Sequence, residues 1–232
     1  YMYHPQAAER IRRYNPEMKL IAVLRNPVER AYSSFCFLAE NAAEPLADFE
    51  AALAAEEARI RERWEHLWHY KSMGYYYQQL KRYYERFDRS QVRVYLYEEF
   101  NRDNLRVLQD IFRFLEVDSG FIPNTSVRYL ESGLPKNRRL QRLVLRSPLR
   151  KLLRTYLPER LQPFFLKVKK QTVSKGRMDE QIRRSLTAEY REEILRLQEL
   201  IDQDLSGWLE PLETPAPAGY RPPFRGAEES PG

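Results

Sequence analysis

Arg25 directly follows a short apolar run, Leu20-Ile21-Ala22-Val23-Leu24, and directly precedes Asn26-Pro27; Ser33 lies eight residues further on. The run is compact and branched, as expected for a buried strand of a parallel sheet. Asn26 is a good N-cap, Pro27 suits the first helical position, and Glu29 sits in the first turn, where its charge is favoured. A helix is predicted to about Asn41. A guanidinium thus stands at the carboxyl end of a strand and at the mouth of a helix. Open α/β sheets bind ligands at that place, and backbone amides there favour an anion. Ser33 lies two turns into the helix, with Glu29 one turn before it on the same side. A guanidinium and a hydroxyl so placed can converge on one phosphate. The same residues also fit a structural role, with Arg25 capping local carbonyls and Ser33 packing as a small side chain.

Two further groups bear on chemistry. Lys175-Gly176-Arg177 sets a glycine, which lets backbone approach an anion, between two cations that pair with phosphate; a solvated turn has the same composition. His66 and His69 lie in an aromatic stretch with Trp64, Trp68 and Tyr70. They can line an acceptor cleft or assist proton transfer, and they equally fit an interface packed among aromatic rings. Tyr75, Tyr76 and Tyr77 can stack on a sugar or an adenine, although core packing accounts for at least one of them.

The elements that must position these groups follow from periodicity. Residues 6–15 form a short helix that ends at Asn15-Pro16. Residues 46–64 read as a second helix with Leu46, Phe49, Leu53 and Ile60 on one side. Gly74 opens a helix over 75–87, with Tyr76, Leu80, Tyr83, Tyr84 and Phe87 at helical spacings. Residues 91–97 alternate and are rich in β-formers, giving a second strand. Asn104 to Leu115 is an amphipathic helix. Residues 118–137 and 167–179 read as loops, and 138–146 and 148–157 as two basic helices broken at Ser147-Pro148. Glu180 to Asp204 is a long helix. From Pro211 on, six prolines and three glycines in 22 residues mark a disordered tail. Two strands make no stable open sheet alone, so the remaining strands are expected upstream of Tyr1.

The 232 residues suit one domain, or one and a half, with a proper core, and 43% hydrophobic and 13% aromatic residues argue for a folded globular protein. The mean hydropathy of −0.70 and 31% charged residues make it polar for its size. Thirty-nine Lys and Arg against 33 Asp and Glu leave a net charge of +6. No stretch approaches the roughly 20 apolar residues that span a bilayer. The chain opens with Tyr1-Met2-Tyr3-His4-Pro5, which is no secretory signal. Cys36 is the single cysteine, so no internal disulfide forms, and with three histidines it does not suit a structural zinc site; no metal is expected. The missing signal and lone cysteine lead to the expectation of a cytoplasmic protein. The absent initiator methionine leads to the expectation of a piece of a longer chain, in which a signal or anchor has its place upstream.

Arg-Asn-Pro-Val-Glu-Arg-Ala-Tyr-Ser-Ser-Phe after a strand resembles the 3′-phosphate-binding segment of sulfotransferases that use 3′-phosphoadenosine 5′-phosphosulfate (PAPS), nearest to the bacterial and heparan-sulfate-type branch. The lead-in is similar as well: Tyr1-Met2, Ala8-Glu9-Arg10-Ile11 and Asn15-Pro16. So are Gly74-Tyr75-Tyr76 with Leu80, Phe87 and the strand that ends in Glu98, Phe114-Leu115-Glu116-Val117, and the close with Asp204-Leu205-Ser206 and Trp208. The resemblance covers about residues 1–210 as one sulfotransferase domain, with 211–232 as its tail. It implies a helix-rich α/β fold like that of P-loop NTPases, a parallel sheet flanked by helices. It implies sulfuryl transfer to a hydroxyl or amine of a carbohydrate or glycolipid acceptor, with adenosine 3′,5′-bisphosphate as product and no metal. Arg25 and Ser33 would hold the 3′-phosphate, and Lys175, Gly176 and Arg177 would close over the same nucleotide. The family's Lys-Ser-Gly-Thr-Thr-like phosphosulfate loop does not occur in this sequence. That loop, the first strand and the catalytic acidic base are expected upstream of Tyr1, which leaves His66 and His69 as the candidates within the chain.

A reading from a different class starts from Arg138, Arg142, Arg146, Arg150 and Arg154, which recur every four residues among leucines. Such a stripe can grip an anionic glycan or rest on an acidic membrane surface, as a non-catalytic basic module would. No nucleic-acid-binding module is recognisable.

Overall fold

The computed structural model describes residues 1–125, 134–135, 173–174 and 177–210. The predicted basic helices, most of the predicted loops and the tail from 211 lie outside the described residues. The order is α1 (Ala7–Tyr14), β1 (Leu20–Leu24), α2 (Pro27–Glu40), α3 (Phe49–Ala54), α4 (Glu56–Arg61), α5 (Tyr76–Tyr84), β2 (Val92–Leu96), α6 (Tyr97–Arg102) and α7 (Asn104–Leu115). A two-residue ladder follows, β3 (Leu134–Pro135) with β4 (Val173–Ser174), and then the long α8 (Glu180–Ile201). Among the described residues no helix is long and apolar enough to cross a membrane.

β1 and β2 pair in parallel, from Leu20 opposite Val92 to Leu24 opposite Leu96. Helices flank this small sheet, as an α/β chain requires, because parallel strands need crossovers that pack on the sheet. α2 buries Val28, Ala31, Phe35 and Leu38; α8 lies against α2 and α5 and buries Leu186, Tyr190, Ile194 and Leu197. The expectation of a buried strand at β1 holds for one face only. Leu24 is buried, but Ile21 and Val23, which point to the other face, are 38% and 50% exposed. An unbroken apolar run records what a strand is suited to pack against; the alternation of side chains decides which half finds cover here.

Two predicted helices and one predicted strand also differ from the sequence reading in their bounds. Residues 46–64 hold two one-and-a-half-turn helices that meet at Ala55, not one helix, and Ile60 is exposed. Gly74 closes a 3-10 turn, Ser72–Gly74, and α5 begins at Tyr76. The strand over 91–97 is shorter, because Tyr97 already starts α6. The β3–β4 ladder, which runs antiparallel and lies against α2, joins two stretches read as loops.

The irregular segment 62–75 is held by two buried carboxylates. Arg59 Nη1 and Nη2 donate to Glu44 Oε2 and Oε1 at 3.0 and 2.7 Å, the Tyr70 hydroxyl donates to Glu44 Oε2, and the Leu46 N–H donates to Oε1 at 2.9 Å. Glu56 accepts from the N–H of Lys71 (2.6 Å) and of Ser72 (2.8 Å) and from the Ser72 hydroxyl (2.6 Å). Buried backbone donors without a helix or sheet need such partners. The segment is then tied to α2 by Arg30, which donates to the Tyr70 carbonyl, and by Ser34, whose hydroxyl donates to the Leu67 carbonyl at 3.1 Å. It is tied to α8 by the Tyr190 hydroxyl, which donates to the Lys71 carbonyl at 2.8 Å.

Gly74 is required by that last contact. A Cβ there would sit 2.5 Å from the Tyr190 hydroxyl oxygen and 2.7 Å from Cζ of its fully buried ring. Gly74→Ala is expected to cost about 1–3 kcal/mol, because the ring has no room to retreat. Denaturant melts check this; an unchanged midpoint overturns it. His69 is 7% exposed, and its Nδ1 shares a hydrogen bond of 3.0 Å with the Tyr3 hydroxyl. Burial pushes its imidazole below the ordinary histidine range, against which the nearby Glu56 charge works in the opposite direction. The unfolded chain therefore takes this proton more readily than the folded one, and stability falls as the pH drops below about 6.5. The melting temperature should decline between pH 7.5 and 5.5, and His69→Gln should flatten that decline. An equal decline in the variant would sink the assignment to His69.

Candidate functional site

The site is built at the junction of β1 and α2. Asn26 caps α2: its Oδ1 accepts from the N–H of Val28 at 2.9 Å and of Glu29 at 3.4 Å. Its Nδ2 donates to the Trp208 carbonyl at 3.3 Å, and its own N–H donates to Glu98 Oε1 at 3.4 Å. The carbonyl of Arg25 accepts from the Tyr76 hydroxyl at 3.0 Å. The peptide unit that joins Arg25 to Asn26 is thereby held by α5 and α6, and the Asn26 side chain by the chain after α8.

The Arg25 guanidinium is fixed in a different way. It lies over the Tyr97 ring, 5.1 Å from the centroid, and Nη2 stands 3.7 Å from Glu29 Oε2. Stacking orients the plane without consuming donors. Among the described residues no acceptor takes a hydrogen bond from it, and a third of the side chain is exposed. Arg25 is an oriented cation whose five donors are unspent. Its structural alternative, capping of local carbonyls, does not occur among the described residues.

Glu29 is held from the other side by Arg183 of α8, whose Nη1 donates to Oε1. Ser33, one turn beyond Glu29, is half-buried, and its hydroxyl has no hydrogen-bond partner among the described residues. Tyr32, between these positions, has its hydroxyl pushed well above the ordinary tyrosine range, chiefly by burial, and it stays protonated.

Of the other expected residues, Arg177 is exposed and Lys175 and Gly176 lie outside the described residues. β4 ends at Ser174 and pairs with β3, which lies against α2, the helix that carries Ser33. His66 and His69, with ring centroids 5.9 Å apart, both meet the Tyr3 ring. Neither shares a hydrogen bond, ion pair or ring contact with Arg25, Glu29 or Ser33. His66 is exposed and lines a cavity of about 490 Å³ with Tyr1, His4, Arg10 and Tyr14 along α1. His69 is neutral at pH 7 because of its burial. Tyr75 and Tyr76 are both spent on structure: the Tyr75 hydroxyl donates to Glu189 at 2.8 Å, and Tyr76 supports Arg25.

Sequence reasoning missed Tyr97 as the platform for Arg25 and Arg183 as the partner of Glu29. The first carries a signal in hindsight, an aromatic residue at the end of the strand beside β1. The second, 154 residues from its partner, carries none.

Comparison with known proteins bears on what such a junction belongs to. A family model described as the sulfotransferase domain matches residues 8–146, which contain the whole β1–α2 junction. A crystal structure of a sulfotransferase from Alicyclobacillus acidocaldarius is similar at 32% sequence identity, with a TM-score of 0.67 over 90% of this chain. The chain spans 65% of the length of that structure. No curated protein matches significantly. The helix-rich fold with its small parallel sheet agrees with the family match, and the chain belongs to the sulfotransferase family.

Proposed function

We propose that the protein takes part in sulfuryl transfer from PAPS to a hydroxyl or amine of a carbohydrate or glycolipid acceptor, with Arg25 and Ser33 as the ligands of the nucleotide's 3′-phosphate. The observation that carries this reading is the Arg25 guanidinium, immobilised over Tyr97 and by its pinned backbone, yet with donors that meet no acceptor among the described residues. A planar fork of donors suits a phosphate, and the first turn of α2 adds a favourable field for an anion. Ser33, half-buried on the same helix side as Glu29, adds a hydroxyl donor. Lys175, Gly176 and Arg177 would complete the cradle from the chain after β4.

When bound, PAPS supplies the sulfuryl group, which passes to the acceptor oxygen or nitrogen as the acceptor's proton leaves; adenosine 3′,5′-bisphosphate remains. The residues named here act away from the reacting sulfur. Their work is binding and orientation: contacts to a remote, non-reacting phosphate hold the reacting end in place and contribute to catalysis through positioning. The fit of this donor set to a dianionic phosphate supports the reading. No residue among 1–232 is assigned as the base, and no step requires a metal.

The test is thermal melting with adenosine 3′,5′-bisphosphate. A ligand at a hundredfold its dissociation constant adds about 2.7 kcal/mol to the native state, which at about 2–4 °C per kcal/mol raises the melting temperature by about 5–11 °C in a domain of this size. Arg25→Ala is expected to abolish the rise, and Ser33→Ala to reduce it. A rise that persists in Arg25→Ala would remove the assignment of the site, and no rise with the parent protein would remove the reading itself.

A further inference from the structure

We propose that Arg183 is a positioning residue for the phosphate site: by holding Glu29, it keeps the carboxylate off Arg25 and leaves that guanidinium available to an anion. The inference rests on the reading of Arg25 as a phosphate ligand.

Glu29 stands between two guanidinium groups and is not shared evenly. Arg183 is hydrogen-bonded to Oε1, whereas Arg25 approaches Oε2 only to 3.7 Å, outside hydrogen-bonding distance. Arg183 is also the more deeply placed of the two, with 15% of its side chain exposed against 33% for Arg25. An ion pair shielded from water is screened less by salt and solvent. Arg183 is further anchored by Glu180, 3.8 Å away on the same helix. The carboxylate therefore has a better partner than Arg25.

The arrangement solves a problem set by the helix. Arg25 and Glu29 are four residues apart at the start of α2, the separation at which opposite charges pair. Left alone, Glu29 would close onto Arg25, occupy its donors and present negative charge to an incoming phosphate. Both effects weaken anion binding. Arg183 removes both at once, and it does so from α8, so the competence of the site depends on the seating of that helix.

Isothermal titration calorimetry with adenosine 3′,5′-bisphosphate and adenosine 5′-monophosphate tests this, because the ratio of the two affinities isolates the 3′-phosphate. Arg183→Gln is expected to lower the ratio about tenfold. Glu29→Gln should keep or raise it. The double variant, which has no carboxylate left to restrain, should return to within about threefold of the parent, and Arg183→Lys should stay near the parent. The proposal is overturned by an unchanged ratio in Arg183→Gln, by a double variant as weak as that single one, or by a loss in Glu29→Gln. If Arg183→Gln does not fold, Glu29→Gln and the double variant are compared directly; a weaker double variant overturns the proposal. A parent protein with equal affinity for the two nucleotides, unaltered by Arg25→Ala, overturns the 3′-phosphate site and this inference with it. That outcome is distinct from any failure confined to Arg183.

Discussion

The Asn26 side chain accepts with one end and donates with the other, and the neighbourhood of Arg25 is organised around that pair of bonds. Oδ1 closes the first turn of α2 by taking the N–H of Val28 and Glu29; Nδ2 reaches the Trp208 carbonyl, and the backbone N–H reaches Glu98. Serine, threonine and aspartate cap helices as well as asparagine does, at about 1 kcal/mol each. None of them accepts from the turn and donates to a carbonyl at 3.3 Å in this geometry with an amide. An aspartate here would turn a carboxylate toward the Trp208 carbonyl oxygen and add a negative charge beside Arg25. The amide is neutral, so the cap costs the site none of its positive field.

Around this junction the charges are sorted by depth. Glu44 and Arg59 neutralise each other inside the core, with the remaining carboxylate valence met by Tyr70 and the Leu46 N–H. Glu56 is spent on backbone donors of Lys71 and Ser72. Such groups are costly to bury and are retained where they satisfy partners that nothing else can reach. Their effect is to fix the segment that meets α2 through Arg30 and α8 through Tyr190. Arg25, by contrast, is half-exposed and held by stacking and by its backbone. The buried Arg59 is spent on a carboxylate, whereas the cation at the strand end is oriented and gives no hydrogen bond to an acceptor among the described residues.

Much of this was legible in the sequence where the information is local. The strand–Arg25–Asn26-Pro27–helix segment, the bounds of α7 and the buried stripe of α8 follow from caps and periodicity, and they stand in the structure nearly residue for residue. The region 46–75 was read less well, because its helices are too short for a stable period and its order comes from Glu44 and Glu56, charged residues that composition assigns to the surface. The second face of β1 misled for a related reason: Ile21 and Val23 signal apolar surroundings, whereas exposure depends on what the rest of the fold brings to that face. Of the groups proposed for the site, Arg25 and Ser33 can be read from the sequence because they share one strand–helix unit. Tyr97, Arg183 and the Trp208 carbonyl cannot, because each reaches the junction from a distant part of the chain, and no local pattern encodes a long-range contact.

That distribution has a physical consequence for binding. The groups that set Arg25 in place come from α5, α6, α8 and the turn at 206–208, all separated from it by 50 residues or more in sequence. No local unit of the chain can reproduce the oriented guanidinium; it exists only when these elements are docked together. A ligand that prefers the oriented form must then stabilise the docking of all of them, so binding at the proposed phosphate site would be coupled to the cooperative stability of the domain. The same reasoning runs in reverse. A substitution that loosens α8 against α2 frees Glu29 as well as weakening the core, and under the proposed role of Arg183 it would lower anion affinity through electrostatics before the fold itself is lost.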